Sequence, residues 1–244
     1  MGSIPITRST SLFTKGMHVK NAAQMISDET LEKCAAALYS DSLPYHNFRH
    51  ALRSVEAGRE IVARCVKEGI RIEEDVVYYA LLFHDAGYQD DHKAKGFDTK
   101  EDYSASLAAK ALKKHGVPQA TVRKVIEAIQ ATHRDAKFTT TEQKAVRAAD
   151  LAELAADYET FRTNTENLKS EYEIQSGRHL SWDEWIDRAI DVIRYFLAQE
   201  IRLTSQFAND HGESVFHQRV RGNLERLRHE KAPSSVSRSR PTGE

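Results

Sequence analysis

The chain has 244 residues, of which 40% are hydrophobic and 29% charged, and its formal net charge is −1. These values are typical of a soluble globular protein with a sizeable core, and the balanced charge gives no indication of a nucleic-acid partner. With two cysteines (Cys34 and Cys65), no apolar stretch of membrane-spanning length and no signal-peptide segment, we expect a cytoplasmic protein without a disulfide framework or a membrane partner.

The apolar pattern predicts helices along nearly the whole chain. Residues 1–27, which begin with the polar stretch MGSIPITRSTSL, are expected to form a partly loose N-terminal segment. After them no stretch shows sustained strand alternation, and the predicted helices span residues 28–40, 47–68, 73–86, 101–115, 118–133, 140–156, 157–176, 181–199 and 200–229. We therefore predict an all-α protein: one bundle of eight or nine helices at 28–229, followed by a disordered basic tail at 230–244.

Several predicted helix ends carry capping signals. Gly116 and Pro118 separate two helices, as a C-terminal glycine followed by a proline near the next start. The segments Thr140–Gln143 and Ser181–Glu184 both fit a capping box, in which side chains satisfy free amide groups of the first turn. The predicted helix 181–199 has an apolar face that we interpret as core rather than as a binding surface: Trp182, Trp185, Ile186, Ala189, Ile193, Phe196 and Leu197.

Ionisable residues interrupt the apolar pattern, first in the segment LPYHNFRHALRSV at residues 43–55. His46 and His50 are four residues apart, so both can point into one pocket at the start of the predicted helix. Burying such groups is costly unless they are paired or bind a metal. Taken alone, the two histidines are compatible with either a structural role or a metal site.

The segment YYALLFHDAGYQDD, about thirty positions later, places His84 and Asp85 side by side at the end of a predicted helix. His84 continues the inward positions of this helix, and Gly87 is expected to end it. An imidazole and a carboxylate that converge there suit a divalent ion, because one offers nitrogen and the other oxygen. A histidine–aspartate hydrogen bond without metal is the alternative, and the dipeptide alone does not distinguish the two.

Two more ionisable residues lie on apolar faces later in the chain. Asp150 is embedded in AVRAADLAELAA, where a carboxylate among alanines and leucines favours a cation as its partner. His133 continues the apolar stripe of the predicted helix 118–133. It could be a structural residue, a phosphate contact or a ligand to a second metal.

Taken together, the order His50, His84–Asp85 and Asp150 in a helical chain resembles the HD superfamily of metal-dependent phosphohydrolases. The segments YHNFRHA, FHDAGY, EDYSA, ATH and RAADLAELA follow one another much as in one branch of predicted HD phosphohydrolases, over about residues 28–229. The resemblance implies that these four residues hold one divalent metal ion, and a second ion is possible. The sequence does not distinguish Mn, Mg, Fe, Co, Ni and Zn.

The resemblance also implies an activity and roles for neighbouring residues. The activity is hydrolysis of a small phosphate ester by metal-activated water, with a nucleotide as the first expectation. His46 and Glu101 would be catalytic, and Asn47 and His133 would contact the substrate.

The resemblance is incomplete, and two other functions remain open. Lys100 and Ala148 stand where that branch usually has asparagine and aspartate. An HD-type di-iron oxygenase would need further histidine ligands, from His133 and either His92 or His115. A non-catalytic ligand-binding protein would retain the metal site without the reaction.

Overall fold

The structure, a computed structural model, describes residues 26–207 and 214–231. These residues form nine α-helices and one 3₁₀ helix and contain no β-strand, which confirms the predicted all-α bundle. Helices α1 to α9 span Glu29–Ala36, Phe48–Lys67, Glu74–Phe83, Lys100–Lys114, Gln119–Gln130, Thr141–Asp150, Tyr158–Ser176, Trp182–Leu197 and Val215–His229, and the 3₁₀ helix spans Ala152–Ala155.

Helix α3 lies at the centre of the fold because it is apolar on nearly all sides. It packs against α1, α2, α4, α5 and α6. Leu81, Leu82 and Phe83 in its last turn are 0% exposed, and burial of each such side chain contributes roughly 1.5–3 kcal/mol. This buried turn anchors the residues that follow it in the chain.

The capping signals in the sequence form as predicted. At the start of α6 the Thr140 hydroxyl accepts a hydrogen bond from the Gln143 N–H, and the Gln143 side chain accepts one from the Thr140 N–H, both at 3.2 Å. Ser181 and Glu184 form the same box at the start of α8. After α4, Gly116 has a φ of 74°, a conformation that glycine adopts without steric cost.

The predicted helix 200–229 is wrong in its first half. Residues 201–207 adopt bends and turns, and α9 begins only at Val215. Its start is set by the Ser214 hydroxyl, which accepts a hydrogen bond from the His217 N–H at 3.3 Å.

Most of the two predicted terminal segments lies outside the described residues. This holds for residues 1–25 of the predicted N-terminal segment and residues 232–244 of the predicted tail, and also for residues 208–213.

Cys34 and Cys65 lie on α1 and α2 as free thiols. In the part of the chain that the structure describes, no helix combines the length and the apolar character needed to cross a bilayer.

Candidate metal centre

Three helix ends bring four ligand-type side chains together. His50 lies in the first turn of α2, Asp150 is the last residue of α6, and His84 and Asp85 directly follow α3. Each offers one ligand atom, and these atoms all lie within 4.8 Å of one another. Both histidines are buried, and both aspartates are partly buried. The structure therefore places the four residues predicted as metal ligands in one cluster.

The separations within the cluster suit a single ion. The Nε2 atoms of His50 and His84 are 3.3 Å apart, and His84 Nε2 lies 3.0 Å from Asp85 Oδ2 and 3.4 Å from Asp150 Oδ1. His50 Nε2 lies 3.6 and 3.5 Å from the same two oxygens. Two atoms that each bind one ion at ~2.1 Å, at right or tetrahedral angles, are roughly 3.0–3.4 Å apart. The observed separations are close to this range.

Both imidazoles present Nε2 to the cluster. His84 Nδ1 lies 2.8 Å from the backbone oxygen of Leu81, and His50 Nδ1 lies 3.3 Å from Glu153 Oε2. Because both partners are acceptors, each Nδ1 carries a hydrogen, and in the neutral ring each Nε2 presents a lone pair. Two lone pairs and two carboxylate oxygens at this distance repel one another unless a positive charge lies among them, which is either a proton on each ring or a bound cation. The donor set therefore fits a divalent ion with nitrogen and oxygen ligands.

The pKa values in the cluster reflect the same attraction for positive charge. Burial lowers the pKa of His84, but the carboxylates of Asp85 and Asp150 outweigh it and raise this pKa well above its usual value. Burial raises the pKa of Asp85, but the charge of His84 and its hydrogen bond outweigh it and lower this pKa to about 2. The pKa of Asp150 is also lowered, since its hydrogen bonds with His50 and His84 outweigh burial. Both carboxylates are thus ionised at neutral pH, the form that binds metal.

Glu153 supports the cluster and was missed by the sequence reasoning. It lies in the 3₁₀ helix, which replaces the second half of the predicted helix 140–156. One oxygen contacts His50 Nδ1, and the other accepts a hydrogen bond from Arg53 Nε at 2.6 Å. Although burial raises the pKa of Glu153, these two partners lower it to about 2. An ionised Glu153 therefore orients the His50 ring.

The turn that carries two of the ligands is held by α4. The Gly87 N–H donates to the Ser104 hydroxyl at 3.0 Å. A Cβ on Gly87 would lie 2.3 Å from Tyr103 Cδ1, so this position requires glycine because the ring packs against its backbone. The expectation that Gly87 ends the helix is wrong, since α3 already ends at Phe83 and Gly87 is not among the glycines with positive φ.

His46 lies beside the cluster and is held by a buried carboxylate that the sequence reasoning also missed. Glu171 on α7 is 2% exposed. One of its oxygens accepts hydrogen bonds from the backbone N–H of Tyr45 at 3.1 Å and of His46 at 2.9 Å, and the other contacts His46 Nδ1. The His46 ring also stacks on Tyr88, with ring centroids 3.7 Å apart. These contacts set both the position and the tilt of the ring.

Asn47 is the N-cap of α2 in this structure. Its side-chain oxygen accepts hydrogen bonds from the backbone N–H groups of Arg49 at 3.0 Å and His50 at 3.3 Å. Its amide group donates to the backbone oxygens of Leu43 at 2.9 Å and Pro44 at 3.2 Å. Since these bonds use both amide hydrogens and both lone pairs, Asn47 positions the start of α2, and its contact with a substrate stays a prediction.

Two cavities meet at the cluster. The polar cavity, of about 410 Å³, is lined largely by charged and polar side chains: His92, Asp98, Lys100, Glu101, His133 and Arg134. The apolar cavity, of about 310 Å³, is lined mainly by hydrophobic side chains: Leu154, Phe161, Leu168, Trp185, Val192 and Ile193. Four residues line both cavities: His46, Tyr88, Asp150 and Phe196. A ligand at the cluster can therefore extend in two chemically different directions.

The apolar face of α8 packs against the core, as predicted. Ile186 and Ile193 belong to the buried core, Trp185 is 7% exposed, and Phe196 packs against the core. Trp185, Ile193 and Phe196 also line the apolar cavity.

Glu101 and His133 line the polar cavity without joining the cluster. Glu101 lies in the first turn of α4, and His133 lies in the turn after α5 rather than on the predicted helix. Among the described residues, the group that could hold an ion consists of the four ligands alone. Neither His92 nor His115 belongs to it, so this arrangement does not supply the further histidines of a di-iron oxygenase.

The sequence pattern did not predict that Lys100 and Arg147 bring positive charge to the polar cavity. Lys100, one of the two departures from the motif pattern, places its Nζ 3.4 Å from the centroid of the Tyr88 ring. Its burial lowers the pKa of the ammonium group despite the nearby Asp85 carboxylate. Arg147, which is 1% exposed, lines the same cavity three residues before Asp150 on α6. The sequence signal that could have indicated a role for Arg147 is its spacing of three residues from Asp150, because residues three apart are neighbours on a helix surface.

Comparison with known proteins finds no family model that matches the chain and no curated protein that matches its sequence. The helical fold and the His/Asp cluster are compatible with an HD-type domain, and the cluster could hold a metal ion. Assignment to the HD superfamily depends on the motifs and stays a prediction.

Proposed function

We propose that the protein is an HD-type, metal-dependent phosphohydrolase that acts on a small phosphate ester. The observation that carries this proposal is the position of the His/Asp cluster at the junction of two cavities. Hydrolysis of a phosphate ester requires a place for the phosphate, a place for the leaving group and an activating centre between them. We assign these three roles to the polar cavity, the apolar cavity and the cluster.

The ion would be held by His50, His84, Asp85 and Asp150. When bound, it would supply Lewis-acid activation of water and of a phosphoryl oxygen. The protein contributes the orientation of the ligands, because Glu153 and the backbone of α3 hold each imidazole with Nε2 toward the ion.

The polar cavity is the proposed place for the phosphate. Lys100 and Arg134 line it and offer positive charge to the phosphate oxygens. The first residues of α4 also line it, and the N–H groups of a helix N-terminus favour anions.

His46 is the residue that we propose to protonate the leaving oxygen. It lines both cavities, so its ring lies where the bond between phosphate and leaving group would cross from one to the other. Because Nδ1 is held by Glu171, Nε2 is the nitrogen left to give a proton. Positioned proton transfer of this kind contributes on the order of 10²–10⁴-fold. Glu101 is the second candidate, as a base toward water.

The test is release of inorganic phosphate by chelator-treated protein that is resupplied with single divalent ions. Nucleotides, sugar phosphates and aromatic phosphates form the substrate panel. We expect metal-dependent release that is lost in Asp85→Ala and retained in Asp191→Ala, which removes an exposed carboxylate on α8. Release without metal dependence, equal in wild type and Asp85→Ala, would contradict the proposal. Oxygen consumption measured on the same panel tests the oxygenase alternative.

A further inference from the structure

Arg147 carries a positive charge inside the protein and is held there by neutral groups. Its side chain is 1% exposed. The hydrogen bonds that its guanidinium donates to the described residues go to two backbone carbonyls and one side-chain amide oxygen. Burial of a charge is costly unless the charge is well hydrogen-bonded. These three bonds therefore offset much of the cost of keeping Arg147 in the interior.

The contacts of Arg147 converge on the turn that follows α5, residues 131–136. Its Nη1 donates to the backbone oxygen of Thr132, and its Nη2 donates to the backbone oxygen of Arg134 at 3.4 Å. Nη2 also donates to Gln199 Oε1 at 2.8 Å, and Gln199 Nε2 donates to the same backbone oxygen of Arg134. Because the donors of a guanidinium lie in a fixed plane, Arg147 sets the positions of both carbonyls.

This turn forms one wall of the polar cavity. Thr132, His133 and Arg134 are consecutive and all line it. The Asp135 N–H donates to His133 Nδ1 at 3.3 Å, so the hydrogen of the neutral imidazole lies on Nε2. The exposed end of the turn is tied to α8, because the Tyr195 hydroxyl donates to Asp135. The buried end is the part that Arg147 holds.

Arg147 also connects this wall to the His/Asp cluster. It lies three residues before Asp150 on α6, less than one helical turn away. Its guanidinium carbon lies 4.8 Å from the centroid of the Phe196 ring, at the boundary of the two cavities. One side chain thus joins the cavity wall, the helix that carries a proposed ligand and the end of α8.

We infer that Arg147 is a positioning residue: it holds the turn 131–136 at a fixed distance from the His/Asp cluster, so that an oxyanion in the polar cavity contacts the turn and the cluster together. The role in phosphate binding depends on the proposed function. The order that Arg147 imposes on the turn does not, and it can be measured without catalysis.

The experiment compares substitutions at two neighbouring positions of α6. Arg147→Met keeps a long side chain and removes the guanidinium, whereas Arg147→Lys keeps the charge without the planar set of donors. Val146→Ala is the matched control, because Val146 is 0% exposed in the core and is not among the residues that line either cavity. Urea unfolding gives the stability of each variant, so that lost binding is compared at known lost stability.

The first readout is ¹⁵N NMR of histidine-labelled protein, in which His133→Ala assigns the signals of His133. We expect Arg147→Met to shift these signals and Val146→Ala to leave them unchanged. Gln199→Leu removes the second contact with Arg134 and leaves Arg147 in place. It should shift the same signals by less, and it keeps the test decisive if Arg147→Met does not fold.

The second readout is the binding of inorganic phosphate, measured by calorimetry in buffer that contains Mg²⁺. We expect phosphate to bind Arg147→Met and Arg147→Lys about tenfold more weakly than wild type, the loss of one hydrogen bond. Val146→Ala should bind it like wild type. With a hydrolysed ester, KM should rise about tenfold and kcat should change little, because the turn contacts the phosphate in ground state and transition state alike.

Four results would overturn the inference. These are no phosphate binding by wild type, unchanged His133 signals in both Arg147→Met and Gln199→Leu, full affinity in Arg147→Lys, and an equal loss of affinity in Val146→Ala. Full affinity in Arg147→Lys would show that charge alone matters, and an equal loss in Val146→Ala would show a merely structural role.

The inference and the proposed function fail separately. Phosphate binding that depends on Arg147, without hydrolysis of any ester, would support the inference and remove the hydrolase. Metal-dependent hydrolysis with the same KM in wild type and Arg147→Met would support the hydrolase and remove the inference.

Discussion

Replacing Glu171 by glutamine tests how a buried carboxylate holds the proposed proton donor. Glutamine has the same shape, so its amide oxygen can keep the two hydrogen bonds from the backbone N–H groups of Tyr45 and His46. Its NH₂ group must then face His46 Nδ1, where the carboxylate oxygen had been. The neutral imidazole can pair with this donor only if its hydrogen moves from Nδ1 to Nε2.

The magnitude follows from the contacts that change. One buried hydrogen bond to a charged group is lost, which is worth about 1.5–3 kcal/mol. For a chain of this size, a loss of about 2 kcal/mol lowers Tm by roughly 4–8 °C. We expect kcat to fall with little change in KM, because Glu171 acts through His46 and not through the substrate.

The pH dependence of this effect has a definite sign. Burial raises the pKa of Glu171, but the hydrogen bond and charge of His46 outweigh it, so the pKa is lowered. A group with a lowered folded pKa stabilises the protein above its unfolded pKa, roughly 4.3 for glutamate, and this stability is lost as pH falls through the folded pKa. The difference between wild type and Glu171→Gln should therefore be complete at pH 7 and shrink below about pH 4.

Urea and thermal unfolding measure the stability, and ¹⁵N NMR of the imidazole identifies which nitrogen of His46 carries the hydrogen. Glu166→Gln is the control: its side chain lies on the same helix, is 46% exposed and pairs with Arg162 at 2.7 Å. An exposed pair of this kind contributes roughly 0.2–1 kcal/mol. If Glu171→Gln unfolds like wild type at pH 7 and the His46 signals are unchanged, the reasoning from these hydrogen bonds is refuted.

Three further predictions concern the glycines, the ligands and the cap of α2. Gly87→Ala should destabilise by about 1–3 kcal/mol because the new carbon overlaps a ring. Gly222→Ala in α9, where a Cβ would meet no atom of the described residues within 4 Å, should stabilise by about 0.5–1 kcal/mol. If urea unfolding shows that both substitutions change the stability in the same direction, the packing argument is contradicted. Divalent ion at about 100 times its Kd should stabilise wild type by about 2.7 kcal/mol in thermal unfolding. Asp150→Asn should lose this stabilisation by the ion, and Asp191→Asn should keep it. Equal stabilisation of the two variants would show that the ion binds outside the His/Asp cluster. Asn47→Ala should cost about 1–2 kcal/mol through loss of the N-cap; unchanged stability with a raised KM would instead identify a substrate contact.

Much of the fold could be predicted because its signals are local. A capping box lies within four residues, as at Thr140 and Ser181, and the periodicity of an amphipathic helix is visible within a few turns. The restriction to local signals also explains why a helix was wrongly predicted over the residues before α9. Apolar residues at helical spacing occur in residues 201–207, but the hydrogen bonds that start the helix come from Ser214.

The sequence by itself determined which side chains are candidates for the metal, because a histidine or aspartate on an apolar face is costly without a partner. Only the tertiary structure decided what surrounds them. Glu171 meets His46 across 125 positions of the chain, and the walls of the two cavities come from helices that are distant in sequence. Such contacts depend on how the helices pack, and neither capping nor periodicity within one helix carries that information.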